Sequence, residues 1–233
     1  MLIGKKGNKQ RLQATEVGNT SVSYLRYNEG GFTIIESLVA ILVVSILLVA
    51  IAPVLSLSVA TRIQSRRIEL ATQAAKSYID AVKTKKIDAP TSTGTDTLTA
   101  YAAPTATGTL TCTTANSYCT APTGTSLYCV DFDNSGGCEN TSVTDMVVQG
   151  FRYNSASSSA TSGYALGVRV YRADAFRETT TLLKNTSTTK TTQATFTGGV
   201  GQRKAPVVEM TTDINDTVPK YSDLCARYTG GCN

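Results

Sequence analysis

The sequence predicts an α+β protein in which a long N-terminal helical segment precedes a small antiparallel β-sheet head. Three observations carry this expectation. Residues 32–60 form an almost unbroken apolar run, residues 61–87 are apolar at helical spacing, and four later stretches have the length and composition of β-strands.

The apolar run reads FTIIESLVAILVVSILLVAIAPVLSLSVA, with Glu36 as its only formal charge. At about 1.5 Å per residue, a helix of this length exceeds the roughly 30 Å hydrocarbon core of a bilayer and can span it. A cleavable secretory signal instead has an apolar region of about 7–15 residues directly behind a short basic stretch. Here the run is about twice as long and follows a polar segment ending in Asn28-Glu29-Gly30-Gly31. Pro53 lies inside it, where a missing amide donor and a clash with the preceding turn predict a local bend.

Residues 61–88 continue as an amphipathic helix. Ile63, Leu70, Ala74, Tyr78, Ala81 and Val82 fall near one stripe, with Arg62, Arg66, Glu69, Lys76, Asp80 and Lys83 elsewhere, and Pro90 is expected to end the pattern. Residues 89–127 are rich in Thr, Ser and Ala and hold few large apolar side chains, so they read as an exposed connecting loop. The head then occupies 128–233, with strand-like runs at 127–132, 144–153, 164–172 and 206–212 and a polar loop at 186–192. Alternation is clearest in the third run, where Leu166, Val168 and Val170 interleave with Ala165, Gly167, Arg169 and Tyr171.

Composition narrows the chemistry. The chain of 233 residues has no histidine, which excludes Ser-His-Asp and Cys-His catalytic sets and every zinc site that needs imidazole. Of the net charge of +5, residues 1–31 carry +3, leaving the rest too close to neutral for a nucleic-acid-binding face. No cofactor is implied.

All six cysteines, Cys112, Cys119, Cys129, Cys138, Cys225 and Cys232, lie beyond the apolar run, and none forms a CxxC pair. Disulfides in an oxidising compartment are therefore favoured over a metal site. Six thiols allow fifteen pairings and the sequence alone does not choose; nearest-neighbour closure is the working expectation. Arg62, Arg66 and Arg67 on the C-terminal flank of the run argue by the positive-inside rule for a cytoplasmic body. The cysteines argue for the opposite side, and the reading follows them.

At the junction the residues are Gly30-Gly31-Phe32-Thr33-Ile34-Ile35-Glu36, followed by the apolar run. Here the chain resembles the type IV pilin and pseudopilin superfamily, whose precursors carry a G-F-T-L-[IV]-E junction, with Ile34 standing where leucine is usual. The resemblance implies that residues 1–31 are a cytoplasmic leader, removed by a prepilin peptidase that cuts Gly31–Phe32 and N-methylates Phe32. It implies that 32–60 form a transmembrane and filament-core helix continuous with 61–88, and that Pro53 has a role in filament packing. It also implies a cytoplasmic-membrane protein with its head in the periplasm, which joins other pilins in a helical filament on an inner-membrane assembly platform. A disulfide-bounded loop at the carboxyl end is common in such proteins, and Cys225–Cys232 would supply it.

Glu36 is the informative residue, because a carboxylate in hydrocarbon costs roughly 2.5–3.5 kcal/mol on insertion scales. Cleavage after Gly31 would create an α-amino cation on Phe32, four residues away in the same helix and available to Glu36 of a neighbouring subunit. Over residues 30–87 the chain further resembles the pseudopilins of cyanobacterial hormogonium polysaccharide secretion. That likeness implies a role in polysaccharide export and gliding motility, with exported polysaccharide as a partner; a minor type IV pilin or a type II secretion pseudopilin is the alternative.

Two further features bear on this structural, non-enzymatic reading. Asp131, Asp133 and Ser135, with Gly136 behind them, are spaced like calcium-loop ligands, but Ser142 stands where such a loop has its glutamate. An ordinary Asx-Gly turn is the simpler account, so no metal is assigned. An adhesive, glycan-binding head would use Tyr118, Tyr128 and Tyr153 as contacts, although tyrosines in such heads more often serve the core.

Overall fold

The computed structural model describes residues 31, 33–94, 96–155, 159–191, 193, 202–215, 220–226 and 232. The described residues fall into two compact units divided between Leu48 and Val49. The helix α1, Ile34–Lys83, contributes to both.

In the first unit the described part of α1 carries exposed apolar side chains; Ile41, Ile46 and Leu48 are all more than half exposed. The segment is long and apolar enough to cross a membrane. In the second unit α1 runs through Pro53 without losing its helical assignment, so the bend expected there does not break it.

The buried stripe of α1 is Leu70, Ala71, Ala74, Ala75, Tyr78, Ile79 and Val82, joined by Gln64. Ile63, assigned to this stripe by periodicity, is exposed, and Gln64 is buried in its place through a 3.3 Å bond from its Nε2 to Gln193 Oε1. The helix ends at Lys83, ahead of Pro90 and of the expected boundary at 88. Lys85 adopts φ +55°, its amide donates to Val82 O, and the Lys86 amide donates to Ala81 O. These two bonds form a Schellman motif that satisfies the last carbonyls before proline can act.

The head is a four-stranded antiparallel sheet in the order β2-β3-β4-β6, from Leu127–Val130, Met146–Tyr153, Tyr164–Arg172 and Val208–Ile214. A second ribbon pairs β1, Thr105–Thr107, with β5, Thr179–Thr181. A short helix α2, Tyr221–Ala226, follows β6.

Strand alternation sends residues to two buried faces. Tyr128, Val130, Met146, Val148, Leu166, Val168 and Val170 pack on α1 in one core. Leu127, Cys129, Val147 and Tyr171 face the other way, into a second core closed by Ala106, Phe176 and Leu182. Each large aliphatic side chain so enclosed contributes roughly 1.5–3 kcal/mol.

That second core corrects the reading of 89–127 as an exposed loop. The stretch holds β1, Ala106 is fully buried, and the carbonyls of Leu98, Tyr101 and Ala102 accept hydrogen bonds from Arg169. Small Thr, Ser and Ala side chains let its backbone lie close over the sheet, which composition alone does not reveal. Cys112 pairs with Cys119, Cys129 with Cys138 and Cys225 with Cys232.

Candidate functional site

The candidate site is the start of α1. Thr33 is its N-cap: the Glu36 amide donates to Thr33 Oγ1 at 3.3 Å, and the Ser37 amide donates to Thr33 O at 3.1 Å. Thr33 and Glu36 therefore stand in capping-box spacing, a helix-start signal that the sequence itself carries. Glu36 lies in the first turn, where the helix dipole favours a carboxylate by about 0.3–1 kcal/mol at an exposed site.

Gly31 is exposed, and a β-carbon built on it would meet nothing within 4 Å. Its own fold therefore does not require glycine there. Phe32, the expected methylation site, lies outside the described residues, as does the leader up to residue 30. Pro53 is exposed within α1, and its carbonyl accepts the Ser56 hydroxyl at 2.9 Å.

Of the three candidate glycan contacts, Tyr118 and Tyr128 pack into the core. Tyr128 is buried, and the rings of Tyr78, Tyr118 and Tyr128 pack mutually at centroid distances of 5.2–6.3 Å. The Tyr78 and Tyr118 hydroxyls lie 3.0 Å apart, and Tyr118 Oη donates to Asp88 O. Burial raises both phenols, that of Tyr118 to about 12. Tyr153 is half-buried.

The acidic loop is built by Asp131. Its Oδ1 accepts the amides of Asp133 and Asn134 at 3.0 and 2.7 Å, and its Oδ2 accepts that of Gly136 at 2.8 Å. Asn134 and Gly136 take positive φ, which turns the chain back toward Cys138. Ser135, a ligand candidate by spacing, donates its hydroxyl to Gly137 O. A residue that spacing missed joins the two aspartates: Asp145, just before β3, is fully buried, and its Oδ1 accepts the Phe132 amide at 3.1 Å.

Residues 26–52 match the family described as the prokaryotic N-terminal methylation motif. The chain thus carries the N-terminal processing motif of a type IV pilin-like prepilin, placed on a helix able to anchor it in a membrane. No curated protein matches the chain, and no solved structure does.

Proposed function

We propose that this chain is a structural subunit of a type IV pilus-like or pseudopilus filament, not an enzyme. A prepilin peptidase cuts after Gly31 and N-methylates Phe32, the apolar half of α1 holds the subunit in the cytoplasmic membrane, and the head stands on the periplasmic side. An assembly platform then transfers the subunit into a helical stack with other pilins. Glu36 receives the Phe32 α-amino group of a neighbour, so that a charge costly to leave unmatched in hydrocarbon sets the axial register. Within this class the reading extends to a pseudopilin that supports polysaccharide secretion and surface motility.

The observation that carries the proposal is the methylation motif joined to an α1 whose apolar surface is exposed among the described residues. Glycine at position 31 supports it as well. With no internal contact to explain its bareness, the demand is placed on an enzyme that must approach extended backbone closely. Mass spectrometry of the mature amino terminus is the test. N-methylated Phe32 as first residue is expected, and a mature form that keeps Met1 would refute the proposal.

A further inference from the structure

We propose that Asp131, Asp133 and Asp145 together hold a calcium ion that fastens the 131–137 loop to the start of β3. One oxygen of each carboxylate lies within 4.8 Å of the others. Three atoms no more than 4.8 Å apart share a point about 2.8 Å or less from each, so a small closure of the loop brings all three to the 2.3–2.6 Å of calcium–oxygen bonds. Among the described residues no lysine or arginine pairs with any of the three acids. Three like charges at this separation repel unless a cation sits among them.

The second observation is independent of the cluster. Asp145 is 0% exposed, and its Oδ2 has no hydrogen-bond partner. A buried carboxylate oxygen left unmatched is costly, and a metal ion is the partner that also relieves its neighbours. Asp131 Oδ1 is filled by two amides, but Asp131 Oδ2 accepts only the Gly136 amide and the Asp133 oxygens accept only the Ser135 amide and the Ser142 hydroxyl, which leaves each of these three oxygens a further lone pair to offer. Asp145 thus takes the part that the absent loop glutamate left open, from a different element of the fold. Loop carbonyls and water complete the six to eight oxygens calcium takes. This site is independent of the filament reading.

The test is thermal unfolding and isothermal titration of the full chain in neutral detergent, stripped with a chelator and then given calcium or magnesium. Calcium should release or absorb heat at about one ion per chain and raise the midpoint by several degrees, with magnesium much weaker. Asp133→Asn and Asp145→Asn should each abolish the calcium-dependent shift. Both should unfold no earlier than the chelated parent, because they remove repulsion. No heat and no shift up to about 10 mM calcium, tenfold above the weakest extracellular modules, overturns the proposal. A shift that survives in both variants, or an equal response to magnesium, overturns it too.

Discussion

The phenol of Tyr78 on α1 lies over the bare backbone of Gly150 on β3, where any β-carbon would overlap its ring. Helix and sheet approach closely at this point because β3 offers no side chain, and the Tyr78 hydroxyl reaches past it to Tyr118. Gly150→Ala should destabilise the head by about 1–3 kcal/mol, the usual cost of overpacking. In Tyr78→Leu the same substitution should cost much less, since the two changes share one space. Urea unfolding followed by tyrosine fluorescence reads both, the chain having no tryptophan. Additive costs in the double variant would contradict the contact.

Arg169 is the buried cation that ties the backbone of Leu98, Tyr101 and Ala102 to the sheet. Its Nε donates to Glu209 Oε1 at 2.8 Å, its Nη atoms reach the carbonyls of Leu98 and Tyr101, and its guanidinium lies 4.5 Å over the Phe151 ring. Arg169→Met should cost about 3–5 kcal/mol, because Glu209 and the carbonyls lose their donor together. Lysine should recover only part, as one ammonium cannot replace a planar fork. Protease digestion should then cut first within 96–104; an unchanged cleavage pattern would show that Arg169 does not fasten that segment.

At the processing site, Glu36→Val should permit cleavage after Gly31 yet block filament incorporation, while the helix cap persists because Thr33 bonds to the backbone amide at 36. Glu36→Gln separates charge from capping and should fail in assembly as well. Sheared surface fractions compared with membrane fractions by immunoblot give the answer. Normal incorporation of the Gln variant would remove the charge pair from the account.

The tyrosine trio predicts a response to alkali. An unfolded tyrosine titrates near 10, whereas burial holds the Tyr118 phenol up at about 12. The folded state therefore binds its protons more tightly, and the stability so gained is whole below about pH 10 and falls between about 10 and 12. Thermal midpoints should drop steeply over that interval, and less so in Tyr118→Phe. A midpoint level across the interval would contradict the burial of the trio.

How far the sequence could be read depended on where the information lay. β4 was legible at 164–172 because valine and leucine alternate there without interruption. The end of α1 was not, because Pro90 is a loud signal and the residue that turns the chain, Lys85, has no glycine-like mark. Alternation sets Arg169 on the face opposite Leu166, Val168 and Val170, and nothing in a Thr- and Ala-rich stretch announces that its carbonyls will cover that face. The acidic loop showed two of its three carboxylates; Asp145 lies beyond Cys138, and only the fold returns it to the others.

Among the described residues α1 backs one side of the central strands β2, β3 and β4, while the 89–127 segment and residues 173–182 cover the other, so the broad surfaces of these strands are buried. Any lateral association of the head must then be made by strand rims, connecting turns and the outer stripe of the helix. Those are the positions where sequence can drift without disturbing either core, so subunits of one framework could differ in whom they touch while folding alike.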